Sequence, residues 1–205
     1  MTLKMLSTFF IKILYNYLNI NMTKIIFLRH ADTQKDPTVN AFLWGLSEKG
    51  KEQAQKVAEI SLIKTVDVIY SSDEQKTSLT AEPVAKKLEK KIFPLSYFNE
   101  VKRGDKFLTK EEFELEKVRQ LEDLSYHAFD GESGAEALHR FKKGVSDVVE
   151  LNKGKTILIV THGTILNIYF ADLLNKYQEL PERWSKTIFC AYGIVEDGKV
   201  VQDIV

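Results

Sequence analysis

The sequence predicts an α/β domain with a mostly parallel central sheet and helices on both faces. Short β-branched runs, KIIFL at 24–28, VDVIYSS at 66–72 and KTILIV at 155–160, alternate with segments whose apolar residues recur every three or four positions. The length of 205 residues suits one sizeable domain with a small insertion. Apolar residues make up 44% and charged residues 28%, a balance that supplies a core and excludes a disordered chain.

Each element follows from local signals. Lys24–Leu28 is a short buried strand. Ser47 in LSEKG is an N-cap, and Ala54, Val57, Ala58 and Ser61 then recur at helical spacing. Val66–Ser72 is a second strand. The helix behind it shows Ala81, Val84, Ala85 and Leu88 on one face, and Pro83 is expected to kink it or to restart it as a first-turn residue. KIFPLSYF, residues 91–98, is a weaker strand that Pro94 assigns to an edge. Residues 109–124 form a strongly charged helix, and Ser133 caps another that runs to about Asn152. Lys155–Val160 carries the strongest strand signal, with the helix TILNIYFADLL behind it. The C-terminal stretch reads as a hairpin turned at Asp197-Gly198, which adds an antiparallel strand. The polar, loop-rich segment from about 100 to 131 is the candidate lid or insertion.

Composition narrows the partners. Acids and bases balance at 29 each, so no basic surface is available for sequence-independent binding to nucleic acid, while a local basic cluster could still serve a small anion. The single cysteine, Cys190, forms no intrachain disulfide, provides no thiolate zinc site and fits a reducing, cytoplasmic setting. Residues 1–21 are rich in Phe, Ile, Leu and Tyr, but Lys12, Asn16 and Asn19 interrupt them. The apolar run falls short of the ~20 residues of a membrane span, and no small-residue cleavage site follows it. Stable membrane insertion is therefore not expected. This extension reads as an amphipathic leader, a degenerate targeting segment or sequence upstream of a natural start at Met22; the domain is expected over 22–205. Nothing in the sequence fixes an oligomeric state.

In open α/β sheets, ligands bind beyond the carboxyl ends of the strands. The first strand ends at Arg29 and His30, the second at Ser71 and Ser72 with Lys76 one turn on, the edge strand at Asn99 and Glu100, and the strongest strand at Thr161, His162 and Gly163. Two histidines, an arginine, a lysine and a glutamate share one rim, the composition of a phosphate site with an acid beside it. Arg29, Lys76, a protonated His162 and helix-start amides such as that of Gly163 would neutralise phosphoryl oxygens. A histidine can take the phosphoryl group onto nitrogen, and Glu100 can protonate a departing alkoxide and then deprotonate water. Taken singly, a strand-end histidine, a surface Arg29–Asp32 pair or one solvated carboxylate would mean little. His127 and His139, in a loop and on a polar helix, receive no role.

These segments resemble, in order, the motifs of the histidine phosphatase superfamily, which includes the phosphoglycerate mutase-like enzymes. FLRHADT, LSEKGKEQA, YSSDEQKTSLTAEPVA, NEVKRG, GES at 131–133 and VTHGT at 160–164 carry the resemblance, which covers about Thr23 to Leu174. It implies a three-layer α/β/α sandwich and a metal-independent phosphatase without cofactor, acting on a small phosphorylated substrate through phosphohistidine. By motif position His30 is the nucleophile, His162 the second phosphate-contacting histidine, Arg29 a phosphate ligand and Glu100 the proton donor. Lys76 stands where the family has a second phosphate-binding arginine, keeping the charge and losing the planar fork. Asp36 stands where many relatives have asparagine, and a carboxylate there would repel phosphate unless turned away. Mutase-type sugar-acid contacts have no clear counterpart, although Lys102, Arg103 and Lys106 cluster near Glu100. The alternatives are a phosphoglycerate mutase-type phosphotransferase, a non-catalytic phospho-ligand binder, and a metallohydrolase on His30, Asp32, His162 and Glu100.

Overall fold

In the computed structural model, which describes residues 22–36, 38–104 and 109–205, six strands build one sheet. They are β1 (Lys24–Arg29), β2 (Val68–Ser71), β3 (Ile92–Pro94), β4 (Thr156–Thr161), β5 (Tyr192–Glu196) and β6 (Lys199–Gln202). Their order is β3–β2–β4–β1–β5–β6. The pairs β3–β2, β2–β4 and β4–β1 are parallel, while β1–β5 and β5–β6 are antiparallel. The expected mostly parallel sheet is present, and Pro94 does lie on an edge strand, where its missing N–H costs no ladder bond. The hairpin turns at Asp197 (φ 45°) and Gly198 (φ 78°), the left-handed pair that a two-residue turn requires.

Strand alternation divides the core in two. Ile26, Leu28, Ile69, Leu158 and Val160 face helices α1 (Glu48–Glu59) and α2 (Gln75–Leu88), meeting Val57, Ala58, Ala81, Val84 and Ala85. Ile25, Phe27, Tyr70, Ile157 and Ile159 face the other way. They pack with residues of three further helices, α3 (Lys110–Glu122), α4 (Gly134–Leu151) and α5 (Gly163–Leu174). Phe27 anchors that side, its ring 5.1 Å from Tyr169, 5.8 Å from Phe170 and 5.9 Å from Phe141. The result is three layers, helix on sheet on helix.

The structure refines the sequence reading at three points. Helix α2 runs through Pro83 without restarting; the fully buried Ala81 and Val84 beside it hold the helix by packing where one backbone bond is lost. Within 100–131 the expected charged helix of 109–124 forms as α3, opened by a capping box between Thr109 and Glu112. That helix buries Lys117 and Gln120 as well as Leu121. A sixth helix, α6 (Leu180–Lys186), is not among the sequence expectations, since seven residues are too few to show a periodic face. The readings of residues 1–21 and of Lys106 lie outside the described residues. Among the described residues, no helix is long and apolar enough to cross a membrane.

Candidate active site

Strand order brings the site together. β2, β4 and β1 are neighbours, with Arg29 in register with Thr161 and Ser71 with Val160, so their carboxyl ends stop at one level. The helices after β1 and β2 cover one face of the sheet and the helix after β4 covers the other, which opens a crevice between β4 and β1. His30 follows β1 and His162 follows β4. Their rings stand 5.2 Å apart, inclined at 63°.

His30 is buried, and its Nδ1 lies 2.8 Å from the carbonyl of Ala31. A carbonyl only accepts, so Nδ1 carries the hydrogen and Nε2 keeps its lone pair. Burial, His162 and the cations Lys76 and Arg29 push the His30 pKa well below its usual value, against the Ala31 bond, so the ring is neutral near pH 7.

His162 sits at the N-terminus of α5, 1% exposed. Its Nε2 is 2.8 Å from Ser72 Oγ and 3.1 Å from Glu74 Oε1, and its Nδ1 is buried without a partner. The expected protonated form is not the resting one: burial, with Lys76, Arg29 and Arg140, outweighs Glu100 and lowers its pKa to about 3.

Arg29 leaves the end of β1, donates from Nη1 to the Thr187 carbonyl and stacks over Phe189 at 4.3 Å. Its Nε is buried and unpartnered. Gly163 makes this position available, since a Cβ there would stand 3.0 Å from Arg29 Nε. Lys76, 6% exposed, reaches Ala41 O at 2.8 Å and Glu74 Oε2 at 2.5 Å.

Glu100 is held from two sides. Its carboxylate accepts from Thr164 N, Ile165 N and Val101 N, each at 3.0 Å, and so caps α5. Burial would raise its pKa, but His162, Lys117 and these amides outweigh it and hold the group at about 2. Behind it, Arg140 on α4 donates to the carbonyls of Tyr97, Asn99 and Glu100 and grips Glu132 by two bonds of 2.9 and 2.7 Å. The GES tripeptide thus has a physical role: Glu132 anchors the arginine that shapes the Glu100 loop, and Ser133 caps α4.

The remaining candidates have partners of their own. Asp36 is exposed and accepts from Thr38 N at 2.8 Å and Thr38 Oγ1 at 2.6 Å, a local turn rather than a wall of the crevice. Asp32 takes the Ser47 hydroxyl at 2.6 Å, so it does not share a point with Glu100 and the histidines. Among the described residues, no three His, Cys, Asp or Glu side chains converge as a metal site. Arg103 lies over the Phe113 ring at 4.5 Å and is within electrostatic reach of Glu100 and Glu74, as its place in the sequence suggested, while Lys102 is exposed. Sequence reasoning placed Ser72 on the rim without a role and did not single out Glu74, Thr187, Phe189 or Arg140. Only Glu74 had a signal, since it lies in the same strand-end segment that marked Lys76.

Fold and site together define an α/β protein built around a crevice lined by two histidines, an arginine and a lysine. Residues 25–202 match the family model described as histidine phosphatase superfamily (branch 1), and the chain belongs to that superfamily as a phosphatase-type enzyme. Phosphoserine phosphatase 1 of Hydrogenobacter thermophilus is 29% identical over 174 residues, 80% of this chain and 81% of the relative. Among solved structures, a mycobacterial glucosyl-3-phosphoglycerate phosphatase matches with TM-score 0.71 at 21% identity, covering 85% of this chain and 90% of that one. A phosphoglycerate mutase from Bacillus anthracis matches with TM-score 0.69 at 18% identity, covering 90% and 93%. The fold is therefore shared by proteins named for hydrolysis and for phosphoryl transfer.

Proposed function

We propose that this protein is a metal-independent phosphatase that hydrolyses a small phosphomonoester in the cytoplasm, through a phosphohistidine on His30. The observation that carries the reading is the pairing of a neutral His30, with its Nε2 lone pair uncommitted, with two buried unpartnered nitrogens beside it, Arg29 Nε and His162 Nδ1. Buried polar atoms without partners are rare, and these two belong to the residue before the nucleophile and to the histidine whose ring stands beside it.

In the first step, His30 Nε2 attacks phosphorus and the ester P–O bond breaks. Arg29, Lys76, His162 and the Gly163 amide bear the charge on the equatorial oxygens. Glu100 stands as a carboxylate near pH 7. A phosphate dianion beside it raises its proton affinity, so it takes a proton from solvent and passes it to the alkoxide. In the second step, the carboxylate takes a proton from water, the hydroxide attacks phosphorus, and the N–P bond breaks to release phosphate and restore His30. The domain over 22–205 supplies these groups.

The test is turnover of para-nitrophenyl phosphate with and without chelator, followed by a quench that traps acid-labile phosphate. Chelator-resistant hydrolysis with a label on His30 is expected. His30→Ala is expected to lower turnover by roughly a thousandfold or more while leaving circular dichroism and Tm near wild type. Wild-type-like hydrolysis in that variant would sink the mechanism. Transfer of the label to a sugar-acid acceptor in preference to water would identify a mutase, and phosphate binding without adduct or hydrolysis a binding protein.

A further inference from the structure

The crevice holds a second carboxylate that the steps above leave unused. Glu74 precedes α2, is 7% exposed, and makes no side-chain capping bond to its own helix, the ordinary role of an acid at this position. Its carboxylate oxygens reach groups of the candidate site. Oε2 lies 2.5 Å from Lys76 Nζ; Oε1 accepts from the Glu100 N–H at 3.0 Å and lies 3.1 Å from His162 Nε2. Ser72, which also contacts His162 Nε2, accepts from the Glu74 N–H at 3.2 Å. Sequestering a carboxylate costs several kcal/mol unless its oxygens are paired, so this set of partners specifies where Lys76 and His162 stand.

We propose that Glu74 is a positioning residue of the phosphate site, which fixes the His162 proton on Nε2 and tempers the charge of Lys76 so that product phosphate is released. A carboxylate only accepts, so the Nε2 facing it carries the hydrogen; when a phosphate dianion enters, Nδ1 takes up a second proton and donates to a phosphoryl oxygen. Within the crevice Glu74 and Glu100 face the cations Arg29 and Lys76, with Lys117 and Arg103 also acting on these carboxylates. A phosphate dianion must therefore compete with Glu74 for the Lys76 ammonium. That competition weakens the grip on product more than it weakens a transition state whose negative charge is spread over oxygens also held by Arg29. The inference rests on the phosphate-site reading.

Glu74→Gln keeps the shape and removes the charge; Glu74→Leu removes both charge and hydrogen bonding. Calorimetric titration with inorganic phosphate is expected to show roughly tenfold tighter binding in both variants, with kcat lowered as release slows. Nitrogen-resolved NMR of His162 is expected to show the Nε2–H tautomer in wild type and a mixture of tautomers in Glu74→Leu. A merely structural residue would give the opposite sign, weaker phosphate binding. Unchanged or weaker binding in folded Glu74→Gln overturns the proposal, and so does failure of both variants to fold. A wild-type protein that binds no phosphate would overturn the site reading itself, an outcome distinct from wild-type binding that the substitutions leave untouched.

Discussion

Lys76 shows how a single residue can be both a site cation and a structural liability. Its ammonium is buried against Glu74, so truncation leaves a carboxylate without its cation in a region where water is scarce. Lys76→Ala is expected to lower stability by about 3 kcal/mol in chemical denaturation, whereas the double change Glu74→Leu with Lys76→Met costs far less, because an apolar pair needs no counter-charge. A single variant as stable as the double would show that the pair is not coupled. Asp36 resolves differently: its exposed turn with Thr38 leaves the anionic wall of the crevice to Glu74 and Glu100. Cys190 offers no rival nucleophile, since burial outweighs the nearby Arg29 and pushes its thiol up to about 11.

At the scale of elements, two helix starts do separate work. Helix α4 begins with a full capping box, Ser133 Oγ accepting from Glu136 N–H at 3.2 Å while the Glu136 carboxylate accepts from Ser133 N–H at 2.9 Å. Ser133→Ala is expected to cost about 1 kcal/mol of stability, read as a drop in Tm, with kcat within a few-fold of wild type. Helix α5 begins with Gly163, where a side chain would press on the Arg29 guanidinium. Gly163→Ala is therefore expected to raise helix propensity by up to about 1 kcal/mol yet lower kcat/KM at least tenfold, by moving a phosphate ligand. Equal activity would show that Arg29 yields without loss.

For the whole molecule, the buried titratable groups set a direction with pH. His30 and His162 both have folded pKa values below 6.5, so the unfolded chain takes up their protons first and stability falls as pH drops below about 6.5. Glu100 acts lower: held at about 2 against an ordinary 4.5, its contribution is complete above pH 4.5 and is lost as pH falls toward 2. Each histidine adds a slope of up to about 1.4 kcal/mol per pH unit, so the stability of His162→Gln between pH 6 and 4 should fall less steeply than wild type by one proton's worth. Denaturation midpoints measured across that range check it. Identical slopes would show that His162 is not buried as a neutral ring.

Sequence alone determined the alternation of strands and helices, the edge position of Pro94, the turn at Asp197-Gly198 and the rim that gathers Arg29, His30, Lys76, Glu100 and His162. These follow from local periodicity, turn chemistry and the rule that strand ends carry ligands, none of which needs a distance. The continuation of α2 through Pro83 was decided by burial of its neighbours, and the short α6 by packing that seven residues cannot advertise. The site's electrostatics were decided only in three dimensions. Whether His162 is charged, whether Asp36 faces phosphate, and whether Glu74 is one solvated acid among 29 or the partner of Lys76 and His162 all depend on desolvation and on contacts between residues far apart in the chain.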